Sequence, residues 1–327
     1  MDFERARIED VETRVKSAVE RAKEKQEELN AVVSFVDVDS QLADLANKDP
    51  HAPLYGMPIV LKDNVNMKGV RTTASSRILD NYIPVYDAHI SEKLKEAGAI
   101  VIAKSSMDEL GMGGTNKNAY TGKVNNPWDP TRISGGSSGG SAVLVASGVV
   151  PFAIGTDTGD SVRKPAAYNG IIGMKPTYGR ISRYGIIPYA SSLDHVGYFT
   201  TAIEDAAVAL EVLAGRDDRD MTSSYEPVPN YASDINSDIK GKKIAILDNV
   251  QEAITNAEIK ENFDALMKKL QARGAIVEHV RFDDKLMRAM LPVYYIIANA
   301  EATANHSNLD GIRFGMREDG ASVEEVM

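Results

Sequence analysis

The chain has 327 residues, with 37 Lys and Arg against 47 Asp and Glu, and so a net charge of −10. Hydrophobic residues make up 43% and charged residues 26%, ordinary globular usage that excludes a disordered chain, a collagen-like repeat and a coiled coil. There is no cysteine, which rules out disulfides, thiolate catalysis, zinc ribbons and iron–sulfur ligation, and the acidic balance argues against a free-standing nucleic-acid binder.

The N-terminal stretch MDFERARIEDVETRVKS is acidic and amphipathic, unlike a signal or transit peptide. No apolar run approaches the roughly 18 residues of a membrane span, so a cytoplasmic protein is expected. Residues 2–30 read as a long amphipathic helix, with Ile8, Val11, Val15, Ala18, Val19 and Ala22 near 3/4 spacing. Val32–Val38 reads as a strand, 39–48 as a short helix, and Met57–Leu61 as a buried strand that runs directly into Lys62, Asp63 and Asn64. A helix over His89–Gly98 and a second buried strand over Ala99–Ala103 follow.

Between Gly111 and Gly197 glycine is frequent, with strand segments at Val149–Ile154 and Ile171–Met174 and a helical run at Ala142–Ala146. The last part resumes a βα rhythm: helix Ala202–Leu213, strand Lys243–Leu247, helix Ala257–Arg273, strand Ala275–Val280 and helix Lys285–Ala304. Strands alternating with helices imply an α/β fold, with a central mixed, largely parallel β-sheet flanked by helices.

Serine in glycine-rich turns is the strongest chemical signal. Gly135 to Ala142 reads GGSSGGSA, and Gly155 to Arg163 reads GTDTGDSVR. Such turns aim successive backbone N–H groups at one place, which suits a phosphate or a developing oxyanion. Serine needs a base, yet none of the five histidines lies in these turns. Lys62, at the end of an apolar strand, is the better candidate, because desolvation lowers a lysine pKa.

Three stretches, GMPIVLKDNV (56–65), SGGSSGGSA (134–142) and GTDTGDSVRKPAAYNGIIGMKPTYG (155–179), resemble the amidase signature family of serine hydrolases. Ser137 lies 75 residues after Lys62, and Ser161 lies 24 after Ser137, intervals that match the family's triad. Residues 86–115, 125–142, 180–197 and 294–315 are similar to one branch, the A subunits of glutamyl-tRNA(Gln)/aspartyl-tRNA(Asn) amidotransferases. The resemblance implies a single amidase-signature domain over 1–327, with an N-terminal helical region over 1–50 and the signature core over 130–180.

It also implies roles. Ser161 is the nucleophile, Ser137 the relay after a cis peptide, and Lys62 the base. The oxyanion hole is the backbone of Thr158, Gly159, Asp160 and Ser161. Substrate contacts are Met112, Gly113 and one of Tyr294 or Tyr295, and Asp157 with Arg163 is a structural ion pair beside the site. The implied reaction is hydrolysis of glutamine. Its ammonia is channelled to a partner that amidates Glu-tRNA(Gln), and Asp-tRNA(Asn) is a further possible acceptor. The B and C subunits of a heterotrimer are the implied partners. ATP and Mg2+ belong to the partner chemistry, tRNA is held mainly there, and neither cofactor nor metal is expected in this chain.

Two departures stand out. Asp160 replaces a usual glycine beside the nucleophile, and Lys164 replaces a usual glutamine, so the two changes can compensate as an ion pair. The chain also ends in GASVEEVM, which reads as mid-helix and implies that a C-terminal part is missing, with it an arginine and an aspartate for the glutamine backbone. Ser134, Ser138 and Ser141 read as turn or cap residues, Trp128 and Tyr168 as packing residues, and His195 as a decoy base. Other readings are a stand-alone amidase acting on a different small amide, and a catalytically silent scaffold. The G-x-S-x-G match at Gly136–Gly140 lacks a preceding buried strand, and the S-x-x-K match at Ser161–Lys164 lacks its companion motifs.

Overall fold

Strand alternation in the apolar segments decides the layering. In a computed structural model describing residues 2–6, 10–310 and 319–326, the chain divides into two compact units, 1–232 with 298–327, and 233–297. The first unit is built on a six-stranded mixed sheet in the order β1-β3-β2-β4-β6-β5. Its strands are β1 (Val32–Phe35), β2 (Pro58–Lys62), β3 (Ile100–Ser105), β4 (Phe152–Asp157), β5 (Ile172–Met174) and β6 (His195–Thr200). Parallel pairing is confined to β3-β2-β4 at the centre, while β1, β6 and β5 pair antiparallel with their neighbours. The glycine-rich middle supplies this antiparallel half, including β6, which carries no separate strand signal in its residue pattern.

Successive side chains of a strand face opposite layers. Ile59 and Leu61 of β2, Val101 of β3, Phe152 and Ile154 of β4 and Tyr198 of β6 pack in one core, with Ile90, Leu94, Leu210 and Leu213. Val60, Ile100, Ile102, Ala153 and Phe199 face the other core, with Val15, Ala18, Ala142 and Val145. The helices that supply these partners are α1 (Val11–Glu24), α3 (His89–Glu96), α4 (Gly139–Ala146) and α6 (Ile203–Leu213); α2 (Asp39–Leu45) and α5 (Arg163–Asn169) complete the unit's longer helices. The expected helix over 2–30 is interrupted: Phe3–Ala6, α1 and Gln26–Leu29 are separate helices, and Asp10 caps α1 by accepting from Thr13 N at 3.1 Å. Residues 7–9 lie outside the described ones.

The second unit holds β7 (Lys243–Leu247) and β8 (Ile276–Val280), paired in parallel and connected through α7 (Ala257–Ala272). Helix α8 (Asp284–His306) begins in this unit, and its last residues, from Ala298, belong to the first. No helix among the described residues is long and apolar enough to cross a membrane. Trp128 and Tyr168 do not pack inside as expected. Trp128 is 70% exposed and Tyr168 47%, and the Trp128 indole N–H donates to the Asn169 carbonyl at 2.9 Å, at the end of α5.

Candidate active site

Because β2 and β4 run parallel, their last residues, Lys62 and Asp157, emerge at the same end of the sheet, where open α/β sheets place their ligands. Lys62 has the parity of Val60, so its side chain enters the layer that holds α4. The turn leading into α4 carries Ser137 and Ser138. Alternation in one strand and the start of one helix therefore bring together residues 75 apart in the chain.

Lys62 is fully buried. Its Nζ lies 2.7 Å from Ser137 Oγ, 2.9 Å from Ser138 Oγ and 2.8 Å from Thr156 Oγ1. Burial pushes its pKa down from 10.5 to about 7, against the opposing pull of Asp108, Asp157 and Asp194. At that value half the amine is neutral near pH 7. A neutral amine has two N–H donors and one lone pair.

Ser138 Oγ already donates to the Thr156 carbonyl at 3.0 Å and accepts from Thr156 N at 3.2 Å. Its place towards Lys62 is that of an acceptor. Ser137 Oγ accepts from Lys62 Nζ and has no other partner among the described residues, so when Lys62 is neutral the Ser137 proton is the one free to meet its lone pair. Ser138 and Thr156 thus belong to the cluster. The expectation of Ser138 as a simple cap is corrected, because its hydroxyl joins β4 to Lys62 rather than closing the helix. Among the described residues the Ser134 hydroxyl donates only to Gly135 O, and the Ser141 hydroxyl bonds Ser105 Oγ and Ile154 O.

The Gly136–Ser137 peptide is cis. Asp108 lies against this turn: its backbone N–H donates to the Ser137 carbonyl at 3.1 Å, and its Oδ2 accepts from Thr115 N and Asn116 N at 3.2 and 3.0 Å. A Cβ on Gly136 would collide with Asp108 Oδ2, so only glycine fits there. A Cβ on Gly113 would meet Asp108 Cγ at 2.5 Å. Of the expected substrate contacts, the Met112–Gly113 segment therefore packs on the residue that seats Ser137. Tyr294 and Tyr295, with rings 5.2 Å apart, fall in the second unit.

Ser161 follows β4 in the loop 158–162 and is 4% exposed. Its carbonyl accepts from Ser138 N at 3.3 Å, which joins the two serine turns. The loop is braced twice. Asp157 accepts from Val162 N at 3.0 Å, Arg163 N at 3.3 Å and the Arg163 guanidinium at 2.9 and 3.1 Å. Burial opposes ionisation of Asp157, but these bonds and the Arg163 charge outweigh it and hold its pKa below the usual value.

Asp160 Oδ2 lies 2.7 Å from Lys164 Nζ, the compensating pair that the two departures suggested. Among the described residues the backbone N–H groups of Thr158, Gly159, Asp160 and Ser161 donate to nothing within the chain, whereas those of Val162 and Arg163 are taken by Asp157. Four adjacent unsatisfied donors beside a buried serine suit an oxyanion. His195 is tied instead to the Leu193 carbonyl at 2.7 Å and to the edge of the Tyr178 ring.

Asp194 and Asp108 carry no motif that marks them in the sequence. Asp194 bonds Thr158, and both residues approach Lys62 only through pairings far apart in the chain. The one local hint is an acidic residue just before His195.

A family model described as Amidase matches residues 13–327. Among curated proteins, the A subunit of glutamyl-tRNA(Gln) amidotransferase from Lactobacillus delbrueckii subsp. bulgaricus is 42% identical over 312 residues, 95% of this chain and 64% of the relative. That of Carboxydothermus hydrogenoformans is 47% identical over 282 residues, 86% of this chain and 57% of the relative. Among solved structures, the A subunit of glutamyl-tRNA(Gln) amidotransferase from Thermotoga maritima superposes with a TM-score of 0.84 at 37% identity, covering 94% of this chain and 67% of that one. The peptide amidase of Stenotrophomonas maltophilia gives 0.80 at 28% identity, covering 92% and 65%. The chain spans less than two thirds of the length of these curated relatives.

Proposed function

The chain belongs to the amidase family, and from that premise we propose that Ser161, Ser137 and Lys62 hydrolyse a carboxamide, with glutamine as the amide donor for a tRNA-dependent amidotransferase. The observation that carries the chemistry is the fully buried Lys62 amine, 2.7 Å from Ser137 Oγ and with a pKa of about 7. The resemblance to amidotransferase A subunits carries the choice of substrate.

Ser161 Oγ attacks the amide carbon. Its proton passes to Ser137 Oγ as the Ser137 proton passes to Lys62 Nζ, so the charge formed is an ammonium on Lys62 and an oxyanion on the former carbonyl. The four free N–H groups of residues 158–161 receive that oxyanion, and donors of this kind are worth roughly 3–4 kcal/mol each. Collapse breaks the C–N bond while Lys62 returns the proton through Ser137 to the leaving nitrogen. Ammonia departs and an ester remains on Ser161. Water, deprotonated by the same relay, then releases the carboxylic acid. Metal and cofactor have no part in this sequence within the chain. The Asp160–Lys164 ion pair engages the Asp160 carboxylate, which leaves the Asp160 N–H to serve the oxyanion and weighs against a silent scaffold.

In the full assembly the ammonia passes to the partner B and C subunits, where ATP and Mg2+ activate the misacylated Glu-tRNA(Gln), and tRNA is held mainly by the partner. Asp-tRNA(Asn) is the second acceptor in this reading, and the cytoplasm is its place. A serine-directed phosphonofluoridate tests the core of it. One adduct on Ser161 is expected by intact mass and peptide mapping, lost in Ser161→Ala and Lys62→Ala. Labelling that persists in Ser161→Ala, or its absence from the wild type, refutes the assignment.

A further inference from the structure

The loop that carries the four free N–H groups starts at Thr158, one residue beyond β4. The β4–β6 ladder ends with Asp157 opposite Asp194's neighbour His195. One antiparallel step further, Thr158 stands opposite Asp194. There the Thr158 hydroxyl donates to Asp194 Oδ1 at 2.6 Å. Asp194 is 7% exposed, and the rest of its carboxylate closes the preceding turn. Oδ2 accepts from Tyr189 N at 2.9 Å and Oδ1 from Ala190 N at 3.2 Å.

That turn is itself anchored by the end of α8: Asn305 donates to the Tyr189 carbonyl at 3.1 Å, and Glu301 accepts from Ser192 N at 2.9 Å. A carboxylate fixed on one side by two backbone amides is a rigid acceptor, and hydrogen bonds to charged groups are about twice as strong as neutral ones. Thr158 is thereby held at its side chain, which fixes the direction of the amides that follow.

We propose that Asp194 is a positioning residue for the amide-hydrolysing site, holding Thr158 so that the backbone donors of residues 158–161 converge on one oxygen. This rests on the reading of Ser161 as nucleophile. Asp194 acts through Thr158, and through its charge, which with those of Asp108 and Asp157 favours the Lys62 ammonium. Burial pushes the Asp194 carboxyl above its usual range, opposed by the hydrogen bonds from Thr158, Ala190 and Tyr189 and by the Arg183 charge.

The test compares plateau labelling rates by the phosphonofluoridate, and their pH dependence, in the wild type, Thr158→Val, Thr158→Ser and Asp194→Asn. Loss of a hydrogen bond to a buried carboxylate predicts a drop of about tenfold or more in Thr158→Val, with Thr158→Ser, which keeps the hydroxyl, recovering most of that loss. Asp194→Asn slows labelling as well and also moves the pH midpoint down, because a negative charge that favours the Lys62 ammonium is gone. Thr158→Val, which changes no charge, leaves the midpoint in place. A merely structural role for Asp194 would leave Thr158→Val and Thr158→Ser alike. Thr158→Val labelled at the wild-type rate overturns the proposal whether or not Asp194→Asn folds, as does a folded Asp194→Asn with an unmoved midpoint. A wild type that is not labelled overturns both this proposal and the reading beneath it.

Discussion

If Lys62 is the base proposed for Ser161, raising the pH across a series of Ser161-labelling reactions is expected to titrate one group, the Lys62 amine. An ordinary lysine, with a pKa near 10.5, is neutral in only about 0.03% of molecules at pH 7. Full burial brings Lys62 to about 7, and half of the molecules then carry the free base, a gain of roughly a thousandfold in competent enzyme. Three carboxylates facing Lys62 oppose the shift, so the midpoint stands as a balance between desolvation and their charge. The expected profile of second-order labelling rate is a single rise with a midpoint near pH 7 and a plateau above about pH 8. At about pH 6 the rate is about one tenth of the plateau. Lys62→Arg, charged at every accessible pH, is expected to give no such rise. A midpoint near that of an ordinary lysine, or a rate indifferent to pH while Ser161 is still the labelled residue, refutes Lys62 as the base.

Further outcomes follow from the same geometry. The unfolded chain protonates Lys62 near 10.5 and the folded chain at about 7, so between those values the unfolded state holds the extra proton. Stability relative to Lys62→Met therefore rises with pH by about 1.4 kcal/mol per unit. Urea midpoints between about pH 7 and 9 check this, and a constant gap between the two proteins contradicts it. Lys164 Nζ lies 2.6 Å from where a Cβ on Gly114 would sit, so Gly114→Ala displaces the ammonium from its place beside Asp160. An exposed pair is worth only about 0.2–1 kcal/mol. Gly114→Ala and Lys164→Gln are thus each expected to slow labelling less than about fivefold, without adding to one another, and with no effect in about 1 M salt. Asp157→Asn breaks a bond network whose acid is buried and whose arginine is half-exposed. A loss of about 3 kcal/mol in stability, the low end for a buried pair, is the expected reading by calorimetry.

Residue pattern is most informative where it coincides with tertiary position. The apolar run 57–61 ends at a lysine, and a strand's two-residue period alone assigns that lysine to the layer opposite Leu61. The boundaries of β2, β3, β7, β8, α6 and α7 fall within about three residues of the positions expected from periodicity. Strand β6 escapes such reading because HVGYFT (195–200) has a glycine at its centre and pairs with β4, about forty residues away. Ser138 and Asp194 escape it for a related reason. Each looks like a turn residue locally, and each acquires its role only when β4 brings Thr156 or Thr158 alongside. The long helix expected over 2–30 fails at Asp10, whose side chain starts a new helix by capping it. The ion pair of Asp160 and Lys164 is legible because its partners lie four apart at the start of one helix.

The central claim is that Ser161 forms the ester intermediate with the help of Lys62. The most direct measurement is a peptide map of the protein quenched in acid during turnover of a small carboxamide, glutamine first. A hydroxylamine-labile acyl ester on Ser161, absent in Lys62→Met, is the expected result. An ester on Ser137, or the same Ser161 ester forming at the same rate in Lys62→Met, contradicts the account.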